Sequence, residues 1–471
     1  MLFGLDITTL LLIFICLGLV ALFEFVNGSH DTANAISPVI YSHSLKPRRA
    51  VLLATVMNFL GVLLGGIGVA IGIIHLLPLE IISEQENLFG VFVVLSLLIT
   101  AILWNAGTWY LGLPASSSHT LIGSIFGVCL AISFLPIHAS EKVDLNWHKI
   151  IEVIESLLIS PLIGFGLAFL IMFISYKIIK SKRFFSKPEK KEVPNTGLRS
   201  LLIASSSWVS FAHGSNDGQK GVGLAMLILI SLAPNTFGIN PDVNMLDIKK
   251  DISYISQSIE NDINQTKNDE YKQKLILAQE NIKNLLGSLE NQKQEGKNVR
   301  TNILKIQENI KNIKKEKSLI AQANAGEIGT SIDSKDFIIH SDNLSKVIDY
   351  APKWIILLIS LSLGLGTMFG RKRIVKTIGK KIGNHKLKYA ESASSAIITA
   401  MTITFASRLG LPVSTTHIFS SSIAGCMMTG KKPGVQQDTV KHILLAWILT
   451  LPITIVLGGG LFSLFWVLFL R

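Results

Sequence analysis

Charge is scarce in this 471-residue chain: Asp, Glu, Lys and Arg together make up 16% of it. Soluble domains carry about 25%, and here 49% of residues are hydrophobic, with a mean hydropathy of +0.47. That balance argues against a soluble enzyme. Cysteine is nearly absent as well. Cys16, Cys129 and Cys426 are scattered through apolar sequence, which excludes a disulfide framework or a thiolate metal site and leaves small core residues. The start of the chain lacks the basic region and the small-residue cleavage site of a secretory signal. Glu24 and Asn27 follow its apolar run instead, so residues 1–27 are read as a retained first span. Proline is missing from 242 to 351, an unusually long stretch bounded by Pro241 and Pro352.

What is present is a series of apolar segments. They fall near 7–27, 49–77, 91–113, 118–135, 151–179, 200–212, 218–234, 353–370, 392–408, 414–430 and 440–470. A bilayer core of about 30 Å needs about 20 apolar residues per helix, so the expected class is an all-α polytopic membrane protein. Net charge is +12, but position matters more than the sum. Basic runs at 46–49, 177–191, 371–388 and 431–432 mark cytoplasmic connectors, and no nucleic-acid partner is needed to explain them. On that assignment both termini and the block 235–350 face outward. Glycine and charge interrupt helical sequence at Asn27–Asp31 and His213–Asp217, where helix breaks lining a cavity are expected.

The proline-poor block 235–350 is read as a separate module. Its sixteen basic and seventeen acidic residues nearly cancel. Apolar residues recur at helical spacing at Ile252, Ile255, Ile259 and Ile263, then at Ile303, Leu304, Ile306, Ile310 and Ile313. An extramembrane helical hairpin serving as cap or spacer is expected. The remaining boundaries are a first transmembrane repeat over 1–180, a basic cytoplasmic linker over 181–199, and a second repeat over 200–234 and 351–471.

Two short motifs each occur twice. Leu113-Pro114-Ala115-Ser116-Ser117-Ser118-His119 returns as Leu411-Pro412-Val413-Ser414-Thr415-Thr416-His417, and the likeness extends to Gly127 and Gly425. Gly28-Ser29-His30-Asp31 resembles Gly214-Ser215-Asn216-Asp217. The motifs come in the same order in both halves, and the basic connector between the halves suggests opposite entry into the membrane. Inverted repeats with broken helices are a recurrent transporter design.

The hydroxyl motifs suit an oxyanion. Proline fits a first helical turn, Ser or Thr fits the cap, and the free backbone N–H groups attract an anion. Ser116, Ser117, Ser118, Ser414, Thr415 and Thr416 are therefore candidate oxyanion ligands. Small-residue packing is the bland alternative, and its weight falls because the whole run occurs twice. Asp31 and Asp217 are carboxylates within the membrane, with Glu24 shortly before the first. Oxygens from Asp31, Asn34, Asn216 and Asp217 suit a small cation or a proton. Lys220 is a partner for Asp217 or for the anion. His119 and His417 can donate, relay protons or cap a carbonyl, the structural role being preferred; His30 and His213 stay open.

At these residues the chain resembles the PiT family of inorganic phosphate transporters, and within it the bacterial low-affinity permeases. The likeness rests on Asn27 to Ala35, Trp104-Asn105 to His119, His213 to Gly221 and Pro412 to His417. It covers about three quarters of the chain, from Glu24 onward and outside the insert. The resemblance implies a dimeric inverted-repeat transporter of around ten to twelve helices. Phosphate would bind at the paired hydroxyl motifs, with Asp and Asn of the other pair holding the coupling ion. It also implies a multi-pass protein of the bacterial inner membrane, in contact with lipid, with no cofactor, no resident metal and no enzymatic activity. Sodium-type relatives carry Gly-x-Asn-Asp where this chain has Gly28-Ser29-His30-Asp31, and Lys220 stands where a sodium site wants an oxygen. Both departures favour proton symport of phosphate, or of a neutral metal–phosphate complex. A sodium-coupled phosphate or oxyanion symporter is the alternative. An intramembrane Ser/His/Asp hydrolase is disfavoured, because Ser118 and His119 are adjacent and no nucleophile elbow is present. A receptor or scaffold built around the insert is a third class.

Overall fold

A computed structural model describes residues 5–77, 87–111, 115–135, 147–189, 193–266, 268–290, 302, 303, 305, 309, 335–369, 386–429 and 434–470. Side chains at 32, 34, 87, 88, 148, 288–290, 335, 437 and 439 lie outside that description. Among the described residues, six helices are long and apolar enough to cross a membrane: Ile7–Tyr41, Pro47–Leu64, Phe89–Leu111, Ser117–Phe134, Lys149–Ile178 and Val440–Leu470. A shorter apolar helix, Lys353–Phe369, accompanies them. The chain is a multi-pass, all-α membrane protein with the inverted-repeat, broken-helix architecture. Large apolar side chains such as Leu158, Leu162, Phe173, Leu445, Ile448 and Val456 are exposed along two of these helices, as a lipid-facing surface requires.

The chain divides into two compact units. The larger spans Leu11–Ile228 and Pro352–Arg471. Its helices are α1 (Ile7–Tyr41), α2 (Pro47–Leu64), α3 (Gly68–Ile74), α4 (Asn87–Leu111), α5 (Ser117–Phe134), α6 (Trp147–Ile178) and α7 (Thr196–Leu232), the first and last of which continue into the other unit. After the insert come α12 (Lys353–Phe369), α13 (Tyr389–Arg408), α14 (Thr415–Met428) and α15 (Gln437–Phe465). The duplication is visible in how they pack. The first broken pair, α4 and α5, lies against α15, whereas the second, α13 and α14, lies against α6. Each pair thus packs on the long helix that follows the other pair. Both long helices carry an interior proline, Pro161 in α6 and Pro452 in α15.

The repeated glycines explain that exchange. A Cβ on Gly127 would fall 2.1 Å from the Ile455 carbonyl oxygen, and one on Gly425 would fall 2.3 Å from that of Phe165. Only a residue without a side chain lets these backbones meet.

The helix breaks are not where the sequence suggested. α1 runs for 35 residues straight through Asn27–Asp31, and α7 for 37 residues through His213–Asp217. At 1.5 Å per residue each is about 50 Å long, well beyond the bilayer core. The segments 200–212 and 218–234 are therefore one helix. Gly28 and Gly214 serve close approach instead of a break: their Cβ atoms would fall 2.3 Å from Leu363 O and 2.2 Å from Asn58 O. No proline interrupts either stretch, and the polar side chains find partners across the bundle, so the backbone has no reason to open. Of the two hydroxyl runs, the first follows residues 112–114, which lie outside the described residues, and the second follows an interruption at 409–414. In that interruption Gly410 takes φ +69, which ends α13 in the left-handed region.

The smaller unit comprises Met1–Leu10 and Leu229–Ala351. Its helices are α8 (Pro234–Phe237), α9 (Met245–Gln265), α10 (Asp269–Glu290) and α11 (Lys335–Ser345). Asn244 caps α9 by accepting from Leu246 N at 3.0 Å. The apolar stripe Ile248, Ile252, Ile255 and Ile259 packs on Tyr271, Leu275, Ile282 and Leu285 of α10, and on Phe337 and Leu344. None of the six membrane-span candidates lies within the insert. Ile303 joins this core; Leu304, Ile306, Ile310 and Ile313 lie outside the described residues.

Candidate functional site

Helical spacing on α7 sets one row of groups. His213, Asp217 and Lys220 stand at i, i+4 and i+7, so all three share a face. α1 brings Asp31 to the same place, and the N-termini of α5 and α14 bring hydroxyls. His213 Nε2 lies 3.7 Å from Asp31 Oδ2 and 3.3 Å from Asp217 Oδ2. Lys220 Nζ donates to Asp217 Oδ1 at 2.6 Å and to Ser118 Oγ. Lys220 and Asp217 have no exposure to solvent, and Asp31 and His213 are buried.

The two broken helices are built alike. Ser116 caps α5 by accepting from His119 N at 3.1 Å, and Ser414 caps α14 by accepting from His417 N at 3.2 Å. The first hydroxyl of each run is therefore spent on its own helix. Pro412 stands two residues ahead of the cap instead of within the first turn; Leu113 and Pro114 lie outside the described residues. The next hydroxyls point at the carboxylates. Ser117 Oγ is 3.2 Å from Asp31 Oδ2 and 3.5 Å from Asp217 Oδ2, one proton facing two acceptors. Thr415 Oγ1 donates to Asp217 Oδ2 at 3.3 Å, and Thr416 Oγ1 to Asp31 Oδ1 at 2.5 Å. Ser118 accepts from Lys220 and passes its own proton to the Val413 carbonyl at 2.7 Å. That commitment disfavours a nucleophilic role for it.

A chain of neutral groups orients His213. Thr367 donates to Leu363 O at 2.9 Å, so its oxygen accepts from Asn58 Nδ2 at 3.0 Å. Asn58 Oδ1 is thereby left to accept from His213 Nδ1 at 3.0 Å. With Nδ1 carrying a hydrogen, Nε2 faces both carboxylates. A bare lone pair there is repelled, whereas a proton is held between two anions.

Seven of the expected residues thus come together: Ser117, Ser118, Thr415, Thr416, Asp31, Asp217 and Lys220. Ser116 and Ser414 are at the rim as caps. Asn216 faces elsewhere. Its Oδ1 accepts from Val413 N at 3.2 Å, and its Nδ2 donates to Ser407 Oγ and Leu411 O. It clasps the loop that leads into α14. The side chain of Asn34 lies outside the described residues. Three participants were left open or passed over at the level of sequence. His30, next to Asp31 in the chain, places Nδ1 3.3 Å from Asp31 Oδ1. His213 was recoverable, since it precedes Asp217 by one helical turn. Asn58 carries no local signal and reaches the site only because α2 packs against α7. His119 and His417 meet at a centroid distance of 4.4 Å with their rings tilted by 44°, and Trp447 stacks on His417 at 3.9 Å.

Asp31, His213 and Asp217 can each present one ligand atom within 4.8 Å of the others. Carboxylates and an imidazole at that spacing suit a proton or a small cation. Together with the helix N-termini, the cluster can receive both signs of charge.

Comparison with known proteins gives a consistent result. Residues 27–458 match the phosphate transporter family. The low-affinity inorganic phosphate transporter of Buchnera aphidicola subsp. Acyrthosiphon pisum is 41% identical over 97% of each chain. The low-affinity inorganic phosphate transporter PitB of Escherichia coli K12 is 37% identical over 98% of this chain and 97% of its own. A solved structure described as a sodium-dependent phosphate transporter matches with a TM-score of 0.54 and 18% identity, covering 97% of this chain and 99% of that one. At that identity the likeness speaks for the fold alone.

Proposed function

We propose a coupled mechanism from one premise: the chain belongs to the phosphate transporter family and is a membrane transporter of phosphate, not an enzyme. In this reading it imports inorganic phosphate across the bacterial inner membrane by proton symport, as a homodimer. The observation that carries it is that the hydroxyls able to hold an anion are already donating to Asp31 and Asp217. Two carboxylates against the single ammonium of Lys220 leave one negative charge in a buried cluster. A phosphate cannot enter there without positive charge to offset it.

Protonation of His213 at Nε2, between the two carboxylates, supplies that charge without any new ligand. The carboxylates then hold the imidazolium, which weakens their claim on Ser117, Thr415 and Thr416. These hydroxyls and the N-termini of α5 and α14 turn to the anion. Among the described residues the site holds no guanidinium, and its charges are largely compensated within the protein, which suits a carrier that must release its cargo. Anion binding and coupling thus share the same hydrogen bonds. The same triad could instead receive the cation of a metal–phosphate complex.

Purified protein in proteoliposomes tests this. An inward proton gradient alone should drive radiolabelled phosphate uptake in nominally sodium-free and magnesium-free medium. A strict sodium requirement overturns proton coupling, and a strict magnesium requirement assigns the metal–phosphate complex as cargo. Sulfate competing as well as phosphate overturns the substrate.

A further inference from the structure

Glu24 takes no part in the cluster described above, yet it is a carboxyl group with no exposure to solvent on a membrane-spanning helix. Glu24, Asn27 and Asp31 follow one face of α1 at i, i+3 and i+7, so Glu24 lies about 10 Å along the helix from Asp31. Its Oε2 accepts from Asn27 Nδ2 at 3.3 Å. Oε1 and the neighbouring Asn27 Oδ1 have no hydrogen-bond partner among the described residues. Two buried acceptors on one small patch, with no donor for either, are a donor deficit that a native interior rarely tolerates.

The surroundings leave little room to correct it. A Cβ on Gly221 would fall 2.5 Å from Glu24 Oε1, so the carboxyl end rests directly on the backbone of α7, one residue past Lys220. The titratable groups whose fields reach Glu24 are Asp217, Lys220 and His213, all on α7. On the other side α12 brings backbone and uncharged residues: Gly28 packs on the Leu363 carbonyl and Gly366 on that of Phe25. Lys220 is already committed to Asp217 and Ser118. An ionised carboxylate here would be a buried charge without a partner of its own. One proton on Oε1 removes the charge and provides the missing donor.

We propose that Glu24 is a second proton-carrying residue of the transport cycle, neutral in this conformation and exchanging its proton when the helices around it part. Binding forms one O–H bond on the carboxylate and takes its charge from −1 to 0. Release returns the electron pair to the carboxylate, within the field of Lys220. The assignment rests on the proton-coupled reading of the central site and adds a group to it.

Two measurements on the full-length protein in proteoliposomes separate the possibilities. One is net phosphate uptake driven by a pH gradient. The other is exchange of labelled for unlabelled phosphate at equal pH, which needs no net proton release. Wild type without pH-driven uptake defeats the coupling reading itself, and Glu24 with it. Where wild type is pH-driven, Glu24→Gln should lower net uptake about tenfold more than it lowers exchange, as loss of a proton-carrying group does. Glu24→Asp should restore pH-driven uptake with a displaced pH profile. Net uptake in Glu24→Gln equal to wild type makes Glu24 a structural acid and overturns the proposal. An equal loss of net uptake and exchange in folded Glu24→Gln overturns it too, in favour of a role in binding. If Glu24→Gln does not fold, a Glu24→Asp pH profile superimposable on wild type is the contrary result.

Discussion

α1 and α7 present the same Gly-Ser-x-Asp motif on the same kind of long, unbroken helix, and each sets an imidazole beside its aspartate, yet only α7 adds an ammonium. Around Asp31, α1 contributes an imidazole, His30, with Nδ1 3.3 Å from Asp31 Oδ1, and no ammonium; Glu24 and Asn27 lie further along the helix. Around Asp217, α7 contributes a cationic amine and an imidazole, Lys220 and His213. Duplication preserved the backbone geometry and the glycines, while the side chains diverged until only one half carried an ammonium beside its aspartate. A symmetric pair of bare aspartates would demand two external cations. The asymmetric pair already holds one internal cation, Lys220.

Removing Lys220 breaks that comparison most severely. Lys220→Met leaves Asp217 buried without its cation, at a cost of about 3–5 kcal/mol. Phosphate uptake should fall below detection, and thermal unfolding in detergent should shift well down. The double variant Lys220→Met/Asp217→Asn should regain most of the stability and none of the transport, and recovery of transport would count against the charge argument.

The two aspartates should then behave unequally. Asp217→Asn strands Lys220, so it should lower protein stability by about 3 kcal/mol as well as abolish uptake. Asp31→Asn removes a carboxylate that no lysine pairs with, and should abolish coupling at about 1 kcal/mol or less of stability. Equal melting shifts for the two variants would mean that the halves are electrically equivalent after all.

A smaller effect tests the mirrored packing. Gly127→Ala and Gly425→Ala each push a methyl group into a facing carbonyl, and should cost a similar amount, about 1–3 kcal/mol. A large cost for one and none for the other would sharpen the comparison by showing that only one interface is rigid. Smallest are the caps. Ser116→Ala and Ser414→Ala should each cost about 1 kcal/mol and raise the KM for phosphate a few-fold with little change in maximal rate. A loss of maximal rate at unchanged KM would show that these hydroxyls act on the transport step instead of on the helix N-termini.

Much of this protein was legible in its residues. The apolar runs that must span a bilayer, the polar insert and the two repeated motifs are local patterns. They depend on composition and periodicity, which no tertiary contact can alter. The caps at Ser116 and Ser414 also follow from local chemistry, since Ser stands at the head of each apolar run. Where the helices break was less legible. Glycine beside charge reads equally as an interruption or as a close crossing, and only the facing carbonyls of Leu363 and Asn58 decide between them. His213 shows the same division on a smaller scale: its place one turn before Asp217 is local, but its orientation is set by Asn58 and Thr367 on two other helices.

The sequence alone therefore determined the class, the repeat and the kinds of group at the site, because these are properties of short segments. Tertiary structure alone decided that the hydroxyls donate to the carboxylates, that Asn216 clasps a loop instead of facing an ion, and that Glu24 is left short of a donor. Those outcomes depend on which helices meet. Hydrogen-bond partners in a membrane interior must come from the protein itself, so each polar group takes its role from its neighbours across the bundle.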